Sequence, residues 1–173
     1  MGKKKVLAYG FGQQGKMLSD ALAAVDTVTR FVAPEELDTP IGALLSSEGP
    51  EAGGAAEAPA VLVFSNVDRK ELDVLLRAVR ESGVTGGCLK AMETPTNRSW
   101  PLRKLAGELQ EEHRLMTALM ELKRLRDSIT PNFLDPALMA ALAQADELLK
   151  GQTEPTVQMI MEARMALEKV RKI

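Results

Sequence analysis

Cysteine and histidine are almost missing from this chain, with one of each, Cys88 and His113, in 173 residues. A single thiol excludes an internal disulfide, and one thiol with one imidazole cannot build the usual Cys/His zinc cages. No metal site is expected. Aromatic residues make up 3% of the chain, too few rings to stack successive bases on a single-strand platform. Neither sign of charge is in excess, since 22 basic against 24 acidic residues leave a net charge of -2. Without a global attraction for phosphate polymers, nucleic acid is not an expected partner. No apolar run approaches the roughly 20 residues of a membrane helix, and Lys3, Lys4 and Lys5 lead directly into a strand pattern rather than a signal-peptide core. These absences point to a cytoplasmic protein without membrane contact.

What is present is enough apolar material, 45%, for one compact core with an appendage or for two small domains. Residues 6–9 form a short apolar run that ends in the turn G-F-G-Q-Q-G, and Met17, Leu18, Ala21, Leu22 and Val25 then recur at helical spacing. A second apolar run at residues 28–33 completes a β-α-β unit. Residues 35–60 are acidic, small and aperiodic apart from P-I-G-A-L-L, which could make one helical turn, so a mobile acidic loop is expected there. A-V-L-V-F-S, residues 60–65, reads as a central strand covered on both faces. Asp68 and Glu71 cap the next helix, whose stripe is Leu72, Leu75, Leu76 and Val79, and residues 86–92 make a fourth strand. A long helix over residues 100–127 follows, and residues 128–173 read as a helical hairpin beginning at the Asp135-Pro136 cap.

The fold expected is therefore α/β over residues 1–127, a small four-stranded, parallel, Rossmann-like sheet, with a C-terminal helical extension over residues 128–173. A ferredoxin-like sheet is the alternative. The choice matters for function. In a parallel sheet the turns after the first, third and fourth strands all face one edge, where such folds bind ligands. In the ferredoxin-like arrangement the first and fourth strands are antiparallel and their turns separate to opposite edges.

The densest polar cluster is L-K-A-M-E-T-P-T-N-R-S-W, residues 89–100, at a strand-to-helix turn. Lys90, Thr94, Thr96, Asn97 and Arg98 are the candidate ligand-binding residues. Thr96, Asn97 and Ser99 suit a helix N-terminus and Pro101 suits its first turn. A cap needs no cations, however, so Lys90 and Arg98 bracketing the turn suggest a small anionic ligand. Gly10, Gly12 and Gly15 satisfy G-x-G-x-x-G between a strand and a helix, with Glu35 about 20 residues on. This is the formal pattern for a dinucleotide pyrophosphate, although the same glycines serve any tight turn.

K-A-M-E-T-P-T-N-R-S-W, with P-I-G-A-L-L upstream and the E-L-x-x-E-H run at residues 108–113, resembles an uncharacterised bacterial family known only as a domain of unknown function. The likeness spans about residues 3–114, centred on K-A-x-x-T-P-T-N-R-x-W. It implies a bacterial intracellular protein and no particular reaction.

No residue set here forms an acid-base pair, a metal cluster or an activated nucleophile, so no catalytic residue is assigned. The expected function is a non-catalytic binding or regulatory module that recognises a small anionic ligand or a protein partner. The alternative is a nucleotide- or dinucleotide-dependent enzyme built on G-F-G-Q-Q-G. Met139, Met159, Met161 and Met165 on the C-terminal helices are candidates for a homodimer or protein-partner surface.

Overall fold

The computed structural model of the chain describes residues 2–52 and 54–171. It divides into two compact units, Met1–Gln110 and Glu111–Ile173. The division falls within the long helix rather than after residue 127, where the sequence suggests it.

The first unit is a mixed α/β layer built on one open sheet. Strands β1 (Lys5–Phe11), β2 (Val28–Phe31), β3 (Ala56–Ser65) and β4 (Cys88–Met92) lie in the order β2-β1-β3-β4. An isolated antiparallel bridge joins Pro40 to Pro101 outside these strands. β1 pairs with β2 in parallel, and so does β3 with β4, but β1 and β3 run antiparallel. The sheet is thus mostly parallel without being the all-parallel, Rossmann-like one. It is equally not the ferredoxin-like alternative in its split form, because each β-α-β unit keeps its two strands side by side.

Alternation along the strands covers both faces. Val6, Ala8, Leu62 and Phe64 pack under α1 (Gly15–Ala23) and α3 (Arg69–Glu81), which supply Leu18, Leu22, Leu75 and Val79. Leu7, Val61, Val63 and Leu89 face the other way, against α2 (Ile41–Leu45) and the start of α4 (Leu102–Asp127). α3 begins at the reciprocal cap expected from D-x-x-E, where Glu71 N–H donates to Asp68 Oδ1 at 2.8 Å and Asp68 N–H to Glu71 Oε2 at 2.9 Å.

The reversal of β3 has its origin in residues 32–55, most of the stretch expected to be a mobile loop. After β2 the chain makes a 3-10 turn, Pro34–Glu36, and then α2, whose Ile41, Leu44 and Leu45 are buried in the core. Lys5 Nζ donates to the Leu45 carbonyl at 2.8 Å, so the end of α2 lies beside the beginning of β1. The chain has by then crossed the sheet, but it returns before β3 starts opposite Phe11 at the far end of β1. A strand that begins at the edge where the preceding strand ended must run antiparallel to it.

The buried guanidinium of Arg30 holds this return run. It donates to Glu36 Oε2 at 2.7 Å and Oε1 at 2.9 Å, to Ser47 Oγ at 2.9 Å, and to the Phe31 and Glu48 carbonyls at 2.7 and 3.0 Å. The hydrogen bonds from Arg30 hold the Glu36 carboxyl below the usual carboxylate range, against the opposing effect of burial.

The second unit is helical. Leu122 of α4 packs with Ala141, Leu142, Ala145 and Leu148 of α5 (Pro136–Leu149) and with Ile160, Ala163 and Leu167 of α6 (Val157–Arg171). Asp135 caps α5 by accepting from Leu138 N–H at 3.1 Å, and Arg126 pairs with Asp146. Among the described residues no helix is long and apolar enough to cross a membrane.

Candidate functional site

Because β1 and β3 are antiparallel, the candidate residues fall at opposite edges of the sheet. G-F-G-Q-Q-G follows β1 at one edge. Ser65, Asn66 and the T-P-T-N-R turn follow β3 and β4 at the other. The three turns do not share a ligand edge.

At the first edge the glycines have intramolecular reasons. The β1–β3 register shifts between Tyr9 and Phe11, with Gly10 at the irregularity in a left-handed conformation, φ 85°. A Cβ on Gly10 would lie 2.6 Å from the Glu57 carbonyl, and one on Gly12 would lie 3.0 Å from Ala56 N. β3 therefore occupies the ground over these residues. Gln14 ties the turn to the loop before β4, accepting from Thr85 N–H at 2.7 Å. Glu35 stands exposed on the 3-10 turn, while its neighbour Glu36 is taken by Arg30. Cavities of about 240 and 100 Å³ flank the glycines. Both are smaller than the roughly 300 Å³ at which small-molecule sites begin.

At the second edge, T-P-T-N forms a self-contained turn. Thr94 N–H donates to Asn97 Oδ1 at 2.8 Å, Asn97 N–H to Thr94 Oγ1 at 3.1 Å, and Asn97 Nδ2 to the Met92 carbonyl at 2.9 Å. Asn97 is buried, and its amide is spent on closing the turn. Thr96 is exposed and offers its carbonyl to Ser99 Oγ. Lys90 does not join Arg98. Its neighbours Leu89 and Ala91 pack on the α2 side of the sheet, which sends Lys90 to the opposite face. Arg98 lies across α2, where a Cβ on Gly42 would come within 2.8 Å of its Cγ. P-I-G-A-L-L and the T-P-T-N-R-S-W turn thus pack together, with Ile41 N–H donating to the Trp100 carbonyl at 3.0 Å.

Arg98 instead meets residues outside the candidate set. Its Nη1 pairs with Glu93 Oε1, and the other oxygen of that carboxylate accepts from Ser65 Oγ. Glu93 keeps 10% of its side chain exposed against 57% for Arg98, so the carboxylate is the fixed member and the guanidinium reaches toward solvent. Beside them is a cavity of about 380 Å³ lined by Gly2, Lys3, Lys5, Leu45, Ser46, Ser65, Asn66 and Arg98. Three cations border it, Lys3 and Lys5 from the start of β1 and Arg98 from the turn after β4, with Ser65 and Asn66 from the end of β3. Lys3 and Lys5 lie in a basic stretch that reads as a flank to a strand, and Glu93 sits inside the motif only five residues before Arg98. The one advance signal was that carboxylate-to-arginine spacing across a turn.

Residues 60–116 match the family model described as Domain of unknown function (DUF3783). This stretch is similar to that family. It runs from within β3 to within α4 and carries Ser65, Glu93, Thr94, Asn97 and Arg98, whereas the likeness read from the sequence extended back to residue 3. The matched stretch excludes both G-F-G-Q-Q-G and P-I-G-A-L-L. Neither the curated proteins nor the solved structures contain a significant match to the chain.

The remaining candidates separate. Cys88 is half-buried against the α1/α3 core. In the helical unit Met139 and Met159 pack against the core, while Met161 and Met165 are exposed, as are Phe133 and Leu134 in the loop before α5. Among the described residues no group of three or more His, Cys, Asp or Glu is placed to hold a metal ion.

Proposed function

We propose that the α/β unit is a cytoplasmic, non-catalytic binding module for a small oxyanion, seated in the cavity bordered by Lys3, Lys5 and Arg98. One observation carries this reading: three cations from two segments, Lys3 and Lys5 at the start of β1 and Arg98 after β4, border a concave site at the end of β3 and β4. Cationic donors to phosphate or carboxylate oxygens make the stronger class of hydrogen bond. The cavity volume lies within the range of small-molecule sites. The Glu93 carboxylate is already engaged by Ser65 and Arg98, which supports a positioning role for it rather than that of an accessible base. The dinucleotide alternative gains nothing from the glycine turn, whose close approaches are to β3.

A thermal-shift titration with inorganic phosphate and sulfate tests the reading. An anion at a hundred times its dissociation constant adds about 2.7 kcal/mol of stability. The expected result is a rise in melting temperature that Arg98→Ala removes while the unliganded variant melts normally. No rise with either anion, or an undiminished rise in Arg98→Ala, would contradict it.

A further inference from the structure

Resting on the oxyanion reading of this cavity, we propose that its ligand carries a hydroxyl or amino donor beside the anionic group, as a hydroxylated phosphomonoester does. The inference comes from the direction of the hydrogen bonds around the cavity. A carboxylate paired with a guanidinium is an acceptor only, so the single hydroxyl proton of Ser65 goes to Glu93. Ser65 is buried yet lines the cavity, and all it can offer there is the lone-pair side of its oxygen.

Asn66, beside it, carries no such restriction. Its Nδ2 donates one of its two hydrogens to the Lys3 carbonyl at 3.3 Å, which leaves the side chain both an N–H donor and the acceptor Oδ1. The cavity therefore combines cations, which suit the oxygens of an anion, with the acceptor side of Ser65 Oγ, which such oxygens repel. A ligand bearing only acceptors satisfies the first group and leaves the second unmatched. One that places an O–H or N–H next to its anionic group satisfies both. Glu93 is the positioning residue that sets this preference, acting through Ser65.

The test compares propyl phosphate with glycerol 3-phosphate by calorimetric titration at pH 8, where both monoesters are dianions because their second pKa is near 6. Only the second carries hydroxyls. The full chain is expected to bind glycerol 3-phosphate about tenfold more tightly, the size of one or two net hydrogen bonds. Glu93→Gln offers Ser65 an amide donor and frees the hydroxyl proton to turn into the cavity, so the two esters should then bind within about twofold. Ser65→Ala, which removes the acceptor with little change of shape, should also bring them within about twofold. Equal binding of the esters by the unaltered chain, or a preference that survives in both variants, overturns the inference while leaving the oxyanion site standing. Failure of both esters and of inorganic phosphate to bind overturns the site as well.

Discussion

Asn97 separates a structural residue from a functional one. Its side chain closes the turn after β4 through Thr94 N–H and the Met92 carbonyl, and it is 8% exposed. Replacing it with alanine leaves two backbone groups short of partners in a half-buried turn, at a cost of about 2 kcal/mol. Urea denaturation of Asn97→Ala should show that loss, with phosphate affinity of the folded fraction little changed. A loss below about 0.5 kcal/mol together with abolished binding would instead make Asn97 a ligand contact. Arg98 has the opposite profile. It is half exposed, packed over Gly42 and bound to one carboxylate, so its removal should cost binding more than stability. The sequence placed both among the ligand candidates of one turn, Asn97 as a cap residue as well and Arg98 as a cation a cap does not need. Their difference lies in burial and in the direction of their side chains, which a one-dimensional pattern does not carry. Lys90 shows the same limit, since a single step along β4 places it on the face opposite Arg98.

At the scale of elements, local signals were legible and pairings were not. The D-x-x-E cap of α3, the Asp135 cap of α5 and the helical stripes follow from spacing within a few residues, and the structure has them where the spacing puts them. The direction of β3 depends on where residues 32–55 travel, and small acidic residues do not announce a path. What orders that path is Arg30, in a strand, reaching Glu36, Ser47 and Glu48. The composition of residues 35–60 suggested a mobile loop because the buried cation that satisfies its carbonyls lies outside the segment. Glu36 titrates below the usual carboxylate range, mainly through the hydrogen bonds from Arg30. A depressed carboxyl stabilises the fold above its unfolded value, near 4.3, and that stability is lost as the pH falls through the folded value. Comparing urea midpoints at pH 6 and pH 3, the native chain should lose about 1 kcal/mol more than Glu36→Gln, after allowance for partial solvent screening. Equal losses would show that the Arg30 pair does not fasten the return run.

At the scale of the molecule, the two sheet edges are not equivalent. The edge with G-F-G-Q-Q-G is closed over by β3 and is pinned by Gln14 to Thr85. The edge after β3 and β4 gathers Lys3, Lys5 and Arg98 around a cavity, with Ser65 and Glu93 behind them. The antiparallel pairing of β1 with β3 separates the edges and turns one apparent ligand face into two. The stretch similar to DUF3783 contributes Ser65, Glu93 and Arg98, while the lysines come from the start of β1. The most direct measurement is an amide chemical-shift titration of the full chain with inorganic phosphate. Saturable shifts gathered at residues 2–5, 45–46, 65–66 and 93–98 are the expected result. Shifts centred on residues 10–15, or no saturable shifts anywhere, would contradict the account.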